Sequence, residues 1–222
     1  MSRIDEIVNR IAKKECVVAD IGSDHAFVAL KLLDKGIINT IYNVEINEIP
    51  LQNSINNTVQ YLKTGKVKNV INDGLNGWKY DKHFDYVVIS GMGGNNIIHI
   101  IENMDKDITV ANFILFPNNN ADKLRSYLSS KGYYFEFEKV VMERGYFYQL
   151  IHVTKTKTKN SLVAKTKNDF YFGVHNLKNK DLVFEKMLAE RLEYIKASAA
   201  WKFNGKIKEE IKIINDYFKK TI

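Results

Sequence analysis

The sequence predicts an α/β fold: a mostly parallel sheet that closes with one antiparallel hairpin and carries a small helical domain at its C-terminal side. Three observations carry this reading. Strand-like and helix-like runs alternate from residue 16 to residue 131. Two β-rich runs then follow each other directly, joined at Arg144-Gly145. The last third of the chain loses strand character and shows two helical apolar stripes instead.

The elements follow in order. Residues 2–13 place Ile4, Ile7, Val8 and Ile11 at helical spacing. Strand one is Cys16–Ile21, and a helix over 25–35 stops at Gly36. "TIYNVEI" (40–46) is strand two, leading to a helix over 48–63 that ends before Gly65. "KNVIN" (68–72) and "FDYVVISG" (84–91) are strands three and four, the latter apolar enough for burial on both faces. A helix over 94–104, strand five "NFILF" (112–116) and a helix over 121–131 ending at Gly132 complete the alternation. "YYFEFEKVVME" and "YFYQLIHVTK" form the hairpin, giving seven strands. This is the architecture of the Rossmann-like class I methyltransferases, a likeness of fold only.

"TKTKTKNS" (154–161) reads as a linker between a domain over 1–153 and a helical domain over 154–222. Phe184, Leu188, Leu192, Ile195 and Ala199 make one stripe; Ile207, Ile211, Ile214 and Phe218 make another, with Asn204-Gly205 between them. The expectation is a coiled-coil-like αα-hairpin in which each helix buries its stripe on the other. Lys202 and Lys220 fall among the lysines left for its outer faces, and Phe170, Tyr171 and Phe172 are read as packing where the linker docks.

The net charge of +7 is unevenly spread. Residues 1–150 hold 17 Lys+Arg against 18 Asp+Glu, and residues 151–222 hold 16 against 8. A near-neutral domain with a basic appendage points to a polyanionic partner. The single cysteine, Cys16, excludes a disulfide within the chain and is expected to be buried. No apolar run approaches the roughly 20 residues of a membrane span, and the N-terminal residues lack the apolar segment of a signal peptide. A cytoplasmic protein without membrane contact is expected. His83, His99, His152 and His175 have no ligand spacing, so no metal is expected, and His99 is read as structural.

"VVADIGSDHAFVAL" (17–30) has the form of a nucleotide loop with a single glycine, Gly22, and an acid, Asp24, where the helix starts. Helix N-termini bind phosphates through their amides and dipole, so Asp24 would repel a pyrophosphate and disfavours NAD and FAD. S-adenosylmethionine has no phosphate; it carries an ammonium and a cationic sulfur, which a carboxylate attracts. Asp20 is placed for that ammonium; a helix cap is the lesser, alternative role for Ser23 or Asp24. Glu45, followed by Ile46, ends strand two, where a carboxylate can accept both ribose hydroxyls. Asp73, with Gly74, follows strand three and is placed for the adenine amino group. Three acids at the carboxyl ends of successive strands indicate an S-adenosylmethionine site.

"SGMGGNN" (90–96) ends strand four, where Gly91, Met92, Gly93 and Gly94 leave an open backbone surface for ligand or base. "FPNNN" (116–120) is weakly similar to the Asn-Pro-Pro-aromatic turn with which many methyltransferases hold an exocyclic amine. Only Pro117 fits, and Asn118 follows it rather than preceding it.

These residues together resemble the bacterial tRNA (adenine-22-N1)-methyltransferase family. The likeness rests on "ADIGSDHA" (19–26), on Gly91-Met92-Gly93-Gly94 and on Pro117-Asn118, with Asp73-Gly74 and the strand around Tyr148, and it runs from near residue 1 to about 153. It implies a Rossmann-like catalytic domain, a C-terminal coiled-coil-like domain and methyl transfer to N1 of an adenine in the D-arm region of tRNA. It also implies cofactor contacts from Asp20, Gly22, Ser23, Asp24, Glu45, Ile46, Asp73, Gly74 and Gly91, and base contacts from His25, Met92, Gly93, Gly94, Pro117 and Asn118. Arg3 matches the family's early basic residue. The sequence departs at Phe116, where the family usually has Gln; an aromatic face there is expected to stack on a base.

N1 of adenine has an in-plane lone pair and needs no strong base to attack. Asp24 is the candidate for stabilising the adenine cation that results. Two alternatives remain: a methyltransferase of another RNA or DNA base amine, and a non-catalytic RNA-binding module with a degenerate cofactor site.

Overall fold

The computed structural model describes residues 2–198 and 204–219. Helix α1 (Arg3–Arg10) opens with a reciprocal cap, the Ser2 hydroxyl accepting from the Asp5 amide while the Asp5 carboxylate accepts from the Ser2 amide. The expected alternation then follows: β1 (Cys16–Ile21), α2 (Phe27–Asp34), β2 (Ile38–Glu45), α3 (Glu48–Thr58), β3 (Val67–Ile71), β4 (His83–Met92), α4 (Gly94–Glu102), β5 (Thr109–Pro117) and α5 (Ala121–Ser130). Two boundaries move for backbone reasons. Helix α2 begins at Phe27 because Asp24 and Ala26 hold positive φ angles, and residues 59–64, expected to continue α3, tighten into a 3₁₀ helix before Gly65.

Hairpin strands β6 (Tyr134–Glu143) and β7 (Tyr146–Thr154) complete one seven-stranded sheet of order β3-β2-β1-β4-β5-β7-β6. Strands β1 to β5 pair in parallel, and β7 pairs antiparallel with both neighbours. The order reverses direction between β1 and β4, which opens a crevice at their carboxyl ends. Alternation along β1 feeds two cores: Ala19 and Ile21 join one, Cys16 and Val18 the other. Cys16 is buried, as expected.

The C-terminal part differs from expectation in three respects. Residues 158–164, most of which fall in or beside the expected linker, lie along edge strand β6. There the Thr158 and Ser161 hydroxyls donate to Glu136, Leu162 bridges Phe135, and Ala164 enters the sheet core. This segment covers an edge that would otherwise present unpaired backbone. Two short helices not expected from sequence follow, α6 (Lys167–Phe172) and α7 (Val174–Asn179). The long helices α8 (Leu182–Ala197) and α9 (Gly205–Lys219) then bury Phe184, Leu188, Ile214 and Tyr217 together with Phe172 and with Val140 of β6. They share apolar surface with the sheet instead of packing on each other alone. Ile207 and Ile211 are accordingly only half-buried, and Tyr217 takes the expected inward place of Phe218. Ala199, Lys202 and Lys220 lie outside the described residues.

Arg125 holds this tail to the sheet. Its side chain and that of Glu138 are both fully buried, and Nε donates to the Glu138 carboxylate at 2.6 Å. Its other nitrogens donate to the Phe170 and Tyr171 carbonyls (3.1 and 3.3 Å) and to Gln149 Oε1 (2.8 Å). Glu138 also accepts the His175 amide at 3.1 Å. The ion pair thus ties α5, β6, β7 and α6 through the guanidinium and α7 through the carboxylate. Arg125→Met strands a buried carboxylate and should lower unfolding stability by about 3–5 kcal/mol in urea titration, with part of the loss recovered when Glu138→Leu is added. A change under about 1 kcal/mol would contradict this role.

Candidate functional site

The loop after β1 is built from left-handed residues. Gly22, Asp24 and Ala26 have φ angles of 76, 43 and 55°. A Cβ on Gly22 would stand 2.4 Å from Met92 Cε, which would have to move, and the positive φ there already disfavours any side chain. Helix α3 supplies the support. Ser54 Oγ donates to the Asp24 carbonyl at 2.6 Å and lies 3.1 Å from Ser23 Oγ. Asn57 Nδ2 donates to the His25 carbonyl at 3.0 Å, and Asn53 Nδ2 reaches the Asp24 carboxylate at 3.3 Å. From β2, the Glu45 carboxylate accepts the Asp24 amide. Ser23 is thereby buried as part of the scaffold. The Asp24 and His25 side chains stay about half exposed, 3.5 Å apart.

Beside this loop lies a cavity of about 340 Å³, the size of a small-molecule site. Six expected residues line it: Gly22, Glu45, Ile46, Asp73, Gly74 and Met92. Asn72, Asn96, His99 and Ile100 join them, none of which the sequence marks as a site residue. His99, expected to be structural, is exposed and faces this cavity. Its signal is position alone, one helical turn and a half beyond Gly94 on α4. A larger hollow of about 800 Å³ between α5 and the C-terminal helices mixes Lys123, Lys167 and Lys206 with Asp122, Glu209 and Glu210, and shows no such sign preference.

Electrostatics give the crevice its sign. Asp20, the penultimate residue of β1, is 4% exposed, and among the described residues no side chain or amide donates to its carboxylate. Burial, then the charge of Glu45, pushes its pKa up to about 7. Burial also raises Glu45, opposed by the Asp24 amide and reinforced by the Asp24 charge. Two carboxylates held this way are unfavourable for the empty protein and complementary to a cationic ligand.

The second half of the crevice closes on itself. The Asn118 amide donates to the Met92 carbonyl at 2.8 Å, its Nδ2 donates to the Gly91 carbonyl at 2.6 Å, and the Gly94 amide donates to the Asn119 carbonyl at 2.9 Å. A Cβ on Gly94 would stand 2.5 Å from the Asn120 carbonyl oxygen, and one on Gly93 would stand 2.9 Å from Asn119 Oδ1. The close approach expected from ligand or base at these glycines is made by the 117–120 turn. Gly91 has nothing within 4 Å of such a Cβ and stays open. Pro117 is buried under the turn.

Two expectations need correction or relocation. Phe116 is 1% exposed and packs in the core with Val18, Ile114 and Leu150. Its ring is consumed by the sheet and cannot stack on a base. Arg3 lies at the hairpin, bound to Glu143 at 2.8 Å with its guanidinium 3.9 Å over the Tyr148 ring, and not in the cavity.

Sheet order, switch point and acidic crevice leave one question, which family builds them, and the comparisons answer it. The family model described as tRNA (adenine(22)-N(1))-methyltransferase, TrmK, matches residues 18–221. The chain belongs to this family. It is therefore a tRNA methyltransferase, in agreement with the "GSDHA" and "GMGG" stretches. A Mycoplasma genitalium relative, itself provisionally described as a tRNA methyltransferase, is 28% identical over 157 residues, 70% of each chain. The structure of M. capricolum TrmK in complex with S-adenosyl-homocysteine is 23% identical with a TM-score of 0.84, covering 99% of this chain and 97% of that one. The crystal structure of the B. subtilis m1A22 tRNA methyltransferase TrmK is 21% identical with a TM-score of 0.72, covering 99% and 96%. At these identities the two structures establish the shared fold, C-terminal helices included.

The state of Asp20 has a measurable consequence. Its folded pKa near 7 lies above the ordinary value of 3.8, so the stability it contributes is present in full below 3.8 and is lost as pH rises to about 7. Asp20→Asn removes the titration. The ligand-free variant should melt higher than the parent, by a margin that widens from pH 4 to pH 7 and is level above. A margin independent of pH would refute the assignment.

Proposed function

We propose that this chain transfers the methyl group of S-adenosylmethionine to N1 of adenine 22 in the D-arm region of tRNA, in the cytoplasm, with the crevice at the carboxyl ends of β1–β5 as its active site. The observation that carries the reading is the pair of buried carboxylates, Asp20 and Glu45, which no cation among the described residues faces. Bound there, S-adenosylmethionine supplies an electrophilic methyl on a positively charged sulfur. The donor set fits it: Asp20 lies at the end of β1 for an ammonium, and Glu45 keeps one oxygen on the Asp24 amide and offers the other to hydroxyls. Gly22, Ile46, Asp73 and Gly74 line the cavity, while Ser23 supports the loop from behind through Ser54 and Gly91 keeps open space beside its Cα.

The residues of this chain have mostly positioning to do. N1 carries its own lone pair, so alignment at near-attack distance is the main contribution asked of the protein. The N1 edge is paired in a duplex and must be unpaired or flipped out to enter. Met92, Gly93, Gly94, Pro117 and Asn118 form a turn held by main-chain bonds, a rigid wall for the incoming base. Asp24 and His25 stand exposed on the loop after β1. Attack leaves a positive charge on the adenine ring, and the Asp24 carboxylate is the group placed to stabilise it. The domain over 1–153 performs the transfer. The basic region over 154–222 adds phosphate contacts, which give affinity without reading sequence.

Incubation with isotopically labelled S-adenosylmethionine and unmodified tRNA, followed by nucleoside mapping, should yield one N1-methyladenosine at position 22. A methyl on an exocyclic amine, or none, would overturn the reading. The cofactor site has its own pH test. The Asp20 carboxyl, protonated below about 7 in the free protein, must ionise to face an ammonium. Affinity for S-adenosylmethionine should therefore fall by up to about tenfold per pH unit below 7, and Asp20→Asn should bind more weakly without that dependence. Calorimetry that shows the parent's affinity flat between pH 5.5 and 7.5 would exclude Asp20 as the ammonium partner.

A further inference from the structure

The β6–β7 hairpin reaches past the end of the sheet on the side of the crevice. Leu115↔Ile151 is the last β5–β7 pair, and β6–β7 pairing continues to Glu143↔Tyr146. Since β5 stops at Pro117, the hairpin overhangs its neighbour by roughly 10 Å. Across the sheet, β7 lies two strand spacings, about 10 Å, from β4, which ends at Met92.

The tip is chemically distinctive. Its two turn residues, Arg144 and Gly145, both hold positive φ, 52 and 82°. Such a turn favours Asn-Gly, and a long side chain in the first place stands against its backbone preference. Tyr146 is 69% exposed and Met142 44%, and neither belongs to an apolar core. Lys186 of α8, which also neighbours Glu190, brings Nζ to 3.8 Å from Met142 Sδ. Glu143, the acid at the tip, is neutralised by Arg3, which holds its carboxyl below the usual range. A strained cation and an uncovered aromatic ring therefore share a paired turn at the same end of the sheet as the crevice. Phe116, the aromatic that the sequence offers for stacking, is unavailable.

We infer that the hairpin tip is an RNA-gripping finger, with Arg144 on a backbone phosphate and Tyr146 stacked on a base neighbouring the target adenine. Exposed aromatics beside a cation hold single-stranded nucleotides in this way, by stacking that tolerates any base. The inference rests on tRNA being the substrate.

The test uses the full chain and the variants Arg144→Asn and Tyr146→Ala, with melting temperature, S-adenosylmethionine affinity and tRNA affinity measured over a salt series. Arg144→Asn should melt at or above the parent, since Asn suits the turn, and should bind S-adenosylmethionine equally. Its tRNA affinity should fall, with the log–log salt slope shallower by about 1, because one phosphate fewer is neutralised. Tyr146→Ala should lose at least about fivefold in tRNA affinity with its slope kept. Parent-like tRNA binding by both variants overturns the finger. Failure of the parent itself to bind tRNA would instead overturn the substrate assignment, and it shows before any variant is measured.

Discussion

The buried pair of Arg125 and Glu138 sets how the two ends of this molecule relate. A guanidinium and a carboxylate without solvent are stable only if every remaining hydrogen-bonding position is filled, and here the fillers come from β7, α6 and α7. The tail therefore cannot drift on a flexible tether without uncovering charge. Arg125 sits on the second turn of α5, and α5 starts directly after the turn that packs on Gly93 and Gly94. The interaction that docks the basic tail thus also braces the 117–120 turn beside the crevice. Tail and turn share one frame, and the pair's desolvation is offset only when that frame is complete.

At the other side of the crevice the constraint is reversed, because there the protein keeps charge unsatisfied. Asp20 and Glu45 are raised by burial, and among the described residues the Asp24 amide is the donor that relieves Glu45. Nothing in the packing requires an acid at position 20, since β1 is otherwise apolar on both faces. A neutral residue would stabilise the empty fold. The penalty makes physical sense only if a cationic ligand removes it, so the site's destabilisation and its selectivity are one property.

Much of this is legible in the sequence because it depends on periodicity. The strands, the longer helices and the hairpin follow from alternation and apolar spacing, and the acids at successive strand ends follow from topology. What escapes has identifiable causes. The six-residue helices α6 and α7 are too short for a 3.6-residue period to show. Arg125 occupies an inward position of the stripe Ala121, Leu124, Leu128, a spacing that marks burial only if a charge is allowed in a core. Ser54 and Asn57 act through side chains that look like an ordinary polar helix face until the loop they hold is in place. Phe116 misleads because β5 is buried on both faces over residues 113–117 and leaves no ring free. Gly93 and Gly94 do mark a close approach, but the sequence cannot say that the approaching group is the protein's own backbone.

The distribution of backbone strain joins the rigid frame to the crevice. Among the described residues, six other than glycine hold positive φ: Glu15, Asp24, Ala26, Asn120, Arg144 and Lys180. Four of them, Asp24, Ala26, Asn120 and Arg144, lie in the loops at the carboxyl end of the sheet. Each such residue costs about 1 kcal/mol or more relative to a relaxed backbone and persists only where its surroundings over-determine it. The surroundings are visible: α3 hydrogen bonds hold Asp24, the buried Gly94 holds the turn at Asn120, and nine residue pairs between β6 and β7 hold Arg144. A chain that collects unfavourable conformations at one end needs a stiff body beneath them, which is what the two-faced core and the Arg125 anchor provide. Stiffness and strain are therefore complementary here: the former lets the latter present an acid, a turn and a hairpin tip in fixed positions around one crevice.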